Sequence, residues 1–260
     1  MVDVKLSKRL YYTRQMKSKK NIKNVHHHEI EHFSNLDHIW WGAKTYAGQK
    51  RYDDKFSRLK SYCRPDKNFR ILEIGAGDGE FTKRILKIGA RIFATDITPI
   101  VVKRGKKILV KKDKASFKIE NAERLTFRGE SFDLVCGVSV LHHLDMKKAL
   151  REAFRVLKKN GQIFFTEPNL LNPNIFIGLK MPFLRKKMEY SPDETALVRW
   201  NVERLLREIG FSKVKVENYD FLHPLTPKGW VKFVSNLSKT LEKTPVVKEI
   251  SGSLIVWAEK

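Results

Sequence analysis

Cysteine is scarce in this sequence. Its 260 residues include two cysteines, Cys63 and Cys136, so at most one disulfide could form. Neither has the spacing to another cysteine or a histidine that is typical of a zinc site, and we therefore predict no bound metal. Cys136 lies inside the apolar segment 132–141, which predicts a buried, unreactive thiol. This use of cysteine is typical of a reducing compartment, so we predict a cytoplasmic protein.

Long apolar runs are also missing. The apolar stretches are interrupted by Asn, Lys, Pro or His, and none approaches the roughly 18 residues that a membrane-spanning helix needs. The first five residues do not resemble the apolar core of a signal peptide. We therefore expect neither a membrane span nor a secretory leader.

Acidic residues are few relative to basic ones. The 29 Asp and Glu residues face 52 Lys and Arg residues, which leaves a formal net charge of +23. Such a charge attracts anionic partners such as nucleic acid, phospholipid headgroups or phosphorylated metabolites. The basic residues cluster at 5–23, 103–118 and 180–187. We expect most of them to decorate solvated faces. A nucleic-acid partner, or peripheral contact with an anionic membrane, is the alternative.

The first 50 residues are basic and aromatic and show no sustained periodicity. We interpret 1–50 as an N-terminal helical arm or lid, with Trp40, Trp41 and Tyr46 near its end. The histidines at 26–28 and at 32 suggest a metal site at first sight. Adjacent histidines on a helix point in different directions, however, so a surface tract is the better interpretation.

From Asn68 onward, short apolar strands alternate with amphipathic helices over short connections. This alternation predicts an α/β fold with a doubly wound, Rossmann-like, mostly parallel seven-stranded sheet and helices on both faces. We assign 51–260 to this domain, with insertions at about 169–192 and 224–250. The predicted strands are 69–74, 91–95, 116–120, 132–137, 162–166, 214 to about 222, and 253–257, and the predicted helices are 80–88, 99–110, 146–157, 194–209 and one within 224–250.

A glycine-rich loop follows the first predicted strand. Glycines at 75, 77 and 79 let the backbone turn sharply and approach a ligand closely. A dinucleotide fingerprint would place its third glycine at position 80, which is Glu80, and this argues against a nicotinamide dehydrogenase. Glu73 ends the strand, where a carboxylate suits a ligand that carries an ammonium group. A tight structural turn is the alternative interpretation of the loop.

A second carboxylate ends the next strand. Asp96 lies 23 residues after Glu73, where an acidic group can accept hydrogen bonds from both ribose hydroxyls. A helix-entry cap ahead of Pro99 is the alternative role. Together the loop and the two carboxylates fit an adenosine-like ribose, a carboxylate and an amino group, all of which S-adenosylmethionine carries.

Further motifs extend this pattern, and with them the sequence resembles the class I S-adenosylmethionine-dependent methyltransferases of the methyltransferase 11/ubiquinone-biosynthesis-like kind. The residues that carry the resemblance are Leu72-Glu73-Ile74-Gly75-Ala76-Gly77-Asp78-Gly79, Thr95-Asp96-Ile97-Thr98, Asn121-Ala122-Glu123-Arg124-Leu125, Ser131-Phe132-Asp133-Leu134-Val135, Leu141-His142-His143-Leu144 and Arg155-Val156-Leu157-Lys158-Lys159-Asn160-Gly161-Gln162.

The resemblance implies a set of cofactor contacts. The loop around Gly75, Ala76, Gly77 and Gly79 would wrap the methionine moiety, and Glu73 would support its amino group. Asp96 would bind the ribose and Ile97 would pack on the adenine. Asn121 stands where the family often has Asp and would meet the adenine amino group through its carbonyl oxygen. Ala122 would offer its backbone amide to adenine, and Gly137 and Val138 would line the methionine end.

Methyl transfer needs approach geometry and, for some acceptors, a base. Candidate bases follow the carboxyl ends of the strands, where doubly wound sheets bind ligands. These candidates are His142, His143 and Glu167, and the alternative is that they only pack or cap the next helix. Arg51, Tyr52 and the arm aromatics, the loop after the fifth strand and the 224–250 insertion would build the acceptor pocket.

We therefore predict an enzyme that methylates a small-molecule, glycan or lipid-linked acceptor, with oxygen as the expected target atom. An RNA methyltransferase is the alternative, motivated by the charge. A non-catalytic binding protein is a third interpretation, which the intact glycine loop disfavours. The segment 169–187 mixes large apolar residues with a basic end, which suits either a packed lid helix or a segment that rests on anionic lipid. No pattern predicts an oligomeric state.

Overall fold

The computed structural model of the chain describes Ile30 and residues 44–107, 114–187, 190–191 and 194–260. The arm residues Trp40 and Trp41 and the histidine tract at 26–32 lie outside the described residues, apart from Ile30. Among the described helices, none is long and apolar enough to span a membrane.

Seven strands form one sheet, in the order β3-β2-β1-β4-β5-β7-β6. The first five strands are parallel, whereas β7 runs antiparallel between β5 and β6. The predicted fold class, a mostly parallel doubly wound sheet of seven strands, is therefore confirmed. The strands are β1 Arg70–Ile74, β2 Arg91–Asp96, β3 Ala115–Ile119, β4 Phe132–Val138, β5 Leu157–Pro168, β6 Ser212–Tyr219 and β7 Ser253–Glu259.

Helices cover both faces of the sheet. They are α1 Tyr46–Cys63, α2 Thr82–Ile85, α3 Pro99–Lys106, α4 Met146–Val156, α5 Pro173–Lys180, α6 Pro182–Lys187, α7 Arg199–Ile209 and α8 Lys228–Leu241, with short 3-10 turns at Leu86–Ile88, Leu141–His143 and Val247–Ile250.

Alternate strand residues build two cores, one on each face. On one face, Leu59 of α1 packs with Ile71 of β1 and Phe164 of β5. On the other face, Leu150 of α4 and Val202 of α7 pack against strand residues that include Leu72. These side chains are fully buried, so both layers hold the strand ends in fixed positions at the carboxyl edge of the sheet.

Helix α1 is the main element that the sequence analysis did not predict. It begins at Tyr46 with the side chain of Thr45 as its N-cap, runs to Cys63 and therefore crosses the boundary that we placed at residue 50. Its mixture of polar and aromatic residues hides its apolar face, since the buried positions include Lys55 as well as Ala47 and Leu59. The predicted helix at 80–88 is shorter, because α2 gives way to a 3-10 turn after Ile85.

Candidate active site

The glycine loop connects β1 to α2 at the carboxyl edge of the sheet. Gly75, Gly77 and Gly79 have φ angles of +65°, +54° and +81°, a region that side-chain-bearing residues rarely adopt. A Cβ atom on Gly75 would lie 2.4 Å from Cγ2 of Val140, so packing excludes a side chain there. A Cβ atom on Gly77 would meet no protein atom within 4 Å, which leaves this backbone open to a ligand.

Asp96 ends β2 and is hydrogen-bonded to the glycine loop. Its Oδ2 accepts a hydrogen bond from the Gly77 amide at 3.1 Å, and its Oδ1 accepts one from the Thr98 amide at 2.9 Å. Burial raises the pKa of this carboxyl group, although the two backbone hydrogen bonds oppose the shift. Each oxygen keeps a lone pair for a further donor, as a ribose diol would require.

Glu73 is 1 % exposed and lines a cavity that the glycine loop and Asp96 also line. Its Oε2 accepts a hydrogen bond from Oγ1 of Thr82 at 2.6 Å. Burial raises the pKa of Glu73 to about 8, the hydrogen bond from Thr82 lowers it, and the charge of Asp96 raises it further. Among the described residues, no cation acts on the Glu73 carboxyl group, which would therefore gain from a ligand ammonium group.

One cavity of about 540 Å³ brings most of the predicted site residues together. Its lining includes the predicted positions Glu73, Gly75, Ala76, Gly77, Asp96, Ile97, Asn121, Ala122, Val138, His142 and His143. The carboxyl ends of the parallel strands β1, β2, β3 and β4 contribute these residues, so the parallel topology explains why they meet.

Three predicted site residues do not line this cavity: Gly79, Gly137 and Glu167. Gly137 serves packing, because a Cβ atom there would lie 2.7 Å from the carbonyl oxygen of Ile74. Gly137 was predicted to line the methionine end, whereas the structure packs it against Ile74, Val140 and Phe165 and not into the cavity lining. At the adenine end, Oδ1 of Asn121 already accepts a hydrogen bond from the Glu123 amide at 2.8 Å.

His142 and Glu167 form a buried pair, and neither is placed as a free proton acceptor. Nδ1 of His142 lies 2.7 Å from Oε2 of Glu167, and its Nε2 lies 3.5 Å from Oε1 of Glu194. Burial lowers the pKa of His142, but the hydrogen bonds and charges of the two glutamates outweigh burial and raise that pKa to about 9. An imidazole flanked by two carboxylates favours its protonated form, so the predicted role of His142 as a base is not supported.

Glu167 instead organises the loop after β4. Its Oε1 accepts hydrogen bonds from the amides of Val140 and Leu141 at 3.1 and 3.0 Å, and its Oε2 faces His142. The side chain is 1 % exposed and does not reach the cavity. The predicted role of Glu167 as a base is therefore replaced by a positioning role.

The cavity is also lined by α1 and by the segment after β6. Arg51 and Tyr52 lie here as predicted, and Nε of Arg51 is 2.6 Å from Oδ2 of Asp220. Lys55, one helical turn further along α1, also lines the cavity and was missed by the sequence analysis. The spacing of Arg51 and Lys55 at i and i+4 would have identified it, had the helix been predicted.

Lys55 has an unusual environment for a lysine. Lys55 is 7 % exposed. Burial lowers its pKa to about 7, the nearby charge of Arg51 lowers it as well, and Asp220 and Glu167 oppose the shift. Close to neutral pH, a large fraction of this amine is therefore uncharged and able to take up a proton.

Comparison with known proteins places this geometry in a family. Residues 72–165 match the family model described as "Methyltransferase domain". An uncharacterized protein of Methanocaldococcus jannaschii is 32% identical over 148 residues, which cover 56% of this chain and 66% of the relative. The ubiquinone/menaquinone biosynthesis C-methyltransferase UbiE of Zymomonas mobilis is 34% identical over 121 residues, which cover 45% and 48%. The chain thus spans between about half and about two thirds of the length of these curated relatives.

A solved structure agrees with the architecture. The S-adenosylmethionine-dependent methyltransferase of Thermotoga maritima that is described as a possible histamine N-methyltransferase superposes with a TM-score of 0.64, at 21% identity, over 91% of this chain and 99% of that chain. Residues 72–165 thus form a methyltransferase domain similar to that of class I S-adenosylmethionine-dependent enzymes, as the sequence motifs predicted. Its relatives with a named activity include the UbiE enzyme of quinone biosynthesis.

Proposed function

We propose that this protein transfers a methyl group from S-adenosylmethionine to an oxygen atom of a small or lipid-linked acceptor. The observation that carries the proposal is a single cavity. Its lining includes the glycine loop and Asp96 together with Arg51 and Lys55. A cofactor and an acceptor could therefore meet inside one space, as an in-line displacement requires.

The residues at and around the glycine loop fit the cofactor. The open backbone of Gly77 offers close approach, Glu73 offers a buried carboxyl group to an ammonium group, and Asp96 offers two oxygens to a ribose. Ile97 and Ala122 add apolar surface for the adenine ring. The cofactor, when bound, supplies the electrophilic methyl group.

Lys55 is our candidate for the base that takes the acceptor proton. A hydroxyl group is a weak nucleophile until its proton is removed, and the ideal base has a pKa near the working pH. Lys55 meets this requirement because its pKa lies at about 7. The ion pair between Arg51 and Asp220 holds the adjacent wall of the pocket in place.

The shape of the cavity favours a small acceptor over RNA. Tyr190 and residues 220–224 line the cavity together with α1, and an enclosing wall of this kind suits a small acceptor better than a polymer. A volume of about 540 Å³ is in the range of about 300–1,000 Å³ that is typical of small-molecule sites. The net charge of +23 is the remaining support for an RNA substrate.

A transfer assay with methyl-labelled S-adenosylmethionine and fractionated cell extract tests the proposal. Label in the organic or small-metabolite fraction supports it, and base-stable label distinguishes an ether from an ester. Label in the RNA fraction contradicts it in favour of the alternative. An Asp96→Asn variant provides the control, because enzymatic label must fall when the cofactor site is weakened.

Helix α5 supports a route for a lipid-linked acceptor. Asn174 and Ile175 line the cavity, whereas Phe176 and Ile177 on the same helix are exposed, as is Phe183 of α6. We propose that this apolar surface rests on a membrane and admits an apolar chain. Arg185 turns inward to the carbonyl oxygens of Ser191 and Glu194, so apolar contact has to carry this binding more than that arginine does.

Vesicle sedimentation tests the membrane contact. The full chain should co-sediment with anionic vesicles, and a Phe176→Ser/Phe183→Ser variant should bind them less. Phe233→Ser on α8 is the matched control, because Phe233 is also exposed but lies away from the cavity lining. Equal binding by all three proteins contradicts the proposal that α5 and α6 contact the membrane. The predicted cytoplasmic location would then carry no peripheral membrane contact.

A further inference from the structure

We propose that His142, His143 and Glu194 form a binding site for a divalent transition metal ion, with zinc as the best match. Each of the three residues offers one ligand atom, and these atoms all lie within 4.8 Å of one another. All three line the cavity. The sequence analysis predicted no metal from the spacing of the cysteines and histidines. Glu194 is far from His142 and His143 in the chain and joins them only in the fold.

The distances suit a tetrahedral ion. Nε2 of His142 lies 3.5 Å from Oε1 of Glu194. Two ligand atoms bound to zinc at about 2.0–2.1 Å in tetrahedral geometry are about 3.4 Å apart. The rings of His142 and His143 are adjacent, with centroids 4.0 Å apart, which brings the second histidine to the same point. Small side-chain rotations would close the remaining gap.

A second carboxylate orients His142 toward this point. Glu167 Oε2 lies 2.7 Å from Nδ1 of His142, and both side chains are almost completely buried. Metal-binding histidines commonly donate their other ring nitrogen to a carboxylate, which fixes the ring and raises its basicity as a ligand. With Glu167 on Nδ1, Nε2 is the nitrogen that faces Glu194 and the cavity. The chain thus has the histidine–carboxylate arrangement of metal sites.

Glu194 is also held in place before any ion binds. The Ser191 amide donates to its Oε2 at 2.9 Å, which leaves Oε1 directed at His142. The hydroxyl group of Thr195 donates to the carbonyl oxygen of His142 at 3.0 Å and ties the two segments together. Because these contacts fix both sides, metal binding would cost little reorganisation, and the ion would replace the Nε2 proton of His142, which is released to solvent.

The donor set determines the class of metal. Two imidazole nitrogens and one carboxylate oxygen favour zinc and similar transition metals, whereas calcium and magnesium prefer oxygen ligands. Three protein ligands also leave a fourth position, which in zinc enzymes holds water or substrate. This position would face the cavity, so the site is suited to bind an acceptor hydroxyl group, a role that rests on the proposed function.

Equilibrium dialysis of the full chain against Zn²⁺, followed by metal analysis, tests the site directly. The histidine tract at 26–32 offers imidazole groups of its own to zinc, so every protein carries His26→Asn, His28→Asn and His32→Asn. We expect one Zn²⁺ per chain in this background. We also expect Co²⁺ to give the visible absorption of a tetrahedral site. Absence of both results overturns the proposal.

Substitutions assign the ligands. Glu194→Gln and His143→Asn should each abolish the bound ion, and Glu167→Gln should weaken it by about 10–100-fold. His223→Asn is the control, since His223 lines the cavity away from the cluster and should leave the ion in place. Undiminished zinc in Glu194→Gln and His143→Asn overturns the proposal, because the ion must then bind elsewhere.

Folding and the proposed function are monitored separately. Each variant must retain the melting temperature of its metal-free parent and its affinity for S-adenosylhomocysteine, which shows that lost metal is not lost structure. Where one variant fails to fold, the other assigns the site. Metal binding without affinity for S-adenosylhomocysteine would refute the proposed function and leave the metal site standing, and the converse result would refute the metal site alone.

Discussion

The carboxylate of Asp96 accepts a hydrogen bond from the amide of Gly77 at 3.1 Å. This contact joins the end of β2 to the glycine loop after β1, across two segments that the chain brings together only through the parallel sheet. Its consequence is that the acidic group and the loop are positioned as one unit. A ligand that needs both finds them already arranged.

Replacing Asp96 by Asn should weaken binding of S-adenosylhomocysteine by about 10-fold or more. A hydrogen bond to a charged group is worth about 1.5–3 kcal/mol, and each 1.4 kcal/mol is about tenfold in affinity. Isothermal calorimetry measures the change. Asp54→Asn on α1 is the control, since Asp54 pairs with Lys50 outside the cavity. Unchanged affinity in Asp96→Asn would remove Asp96 from the site.

Replacing Gly77 by Ala should impair binding much more than folding. The added methyl group meets no protein atom within 4 Å, so stability falls only by the cost of a positive φ, about 1–2 kcal/mol. The methyl group would occupy space that the ligand needs and would disrupt its hydrogen bonds to the loop. Since a lost hydrogen bond to a charged group costs about 1.5–3 kcal/mol, we expect affinity for S-adenosylhomocysteine to fall at least about tenfold.

Gly137→Ala is the matched comparison. Its methyl group would lie 2.7 Å from the carbonyl oxygen of Ile74, so overpacking should cost about 1–3 kcal/mol of stability. The folded fraction of Gly137→Ala should keep the parent protein's affinity for S-adenosylhomocysteine. Melting curves and calorimetry on both variants separate the two effects. Identical behaviour would contradict both the ligand contact at Gly77 and the packing role of Gly137.

Replacing Glu73 by Gln should stabilise the protein at alkaline pH and weaken its ligand binding. The pKa of Glu73 rises from 4.5 to about 8 on folding, so the folded state holds a proton that the unfolded state has released between these values. Stability of the parent protein therefore falls as pH rises through this window, and the Gln variant escapes the loss. Urea unfolding at pH 5 and pH 8 measures the difference.

Ligand binding should reverse the preference of Glu73 for its protonated form. An ammonium group beside Glu73 favours the ionised carboxylate, so binding at pH 7 should release close to one proton in the parent protein and none in Glu73→Gln. Calorimetry in two buffers of different ionisation enthalpy counts the protons. The charged or titratable groups that act on Glu73 or feel its charge are Asp96, Tyr52 and Cys136. Proton uptake in place of release would contradict the assignment.

Replacing Lys55 by Met should lower kcat by about 100-fold or more, the usual contribution of a general base. In the parent protein, kcat should rise with pH through about 7, as the amine loses its proton, and this limb should disappear in the variant. The charged groups that set this pKa are Arg51, Asp220 and Glu167. Steady-state kinetics against pH makes the measurement.

Two further variants show whether Lys55 acts as a base. Lys55→Arg keeps the charge but lacks a removable proton, so it should not restore kcat. Lys60→Met removes an exposed lysine from the same helix and should behave like the parent protein. Full activity of Lys55→Met at saturating acceptor would eliminate Lys55 as the base.

The sheet could be predicted from the sequence because its signals are local. Most strands contain a short apolar run between turn residues, and the run at 132–137 became β4 almost as predicted. Helix α8 also appeared, at Lys228–Leu241, within the predicted insertion. Helix α1 was missed because its buried side includes Lys55, which a periodicity argument counts as solvent-facing.

The cofactor half of the site was predictable for the same reason. Glu73 and Asp96 sit at strand ends, and parallel strands place their ends together. The acceptor half depends on contacts between distant segments, such as Arg51 with Asp220 and His142 with Glu194. Side-chain spacing in the sequence says nothing about such pairs, and this is why His142 was interpreted as a free base.

The position of α1 has an evolutionary consequence. This helix and residues 220–224 form one wall of the pocket, and both lie outside the segment 72–165 that matches the methyltransferase family. If, as proposed, this wall contacts the acceptor, acceptor selection can change while the part that matches the methyltransferase domain stays the same. A chimera that exchanges only α1 and this short segment with a relative should inherit the relative's acceptor and keep its own affinity for the cofactor.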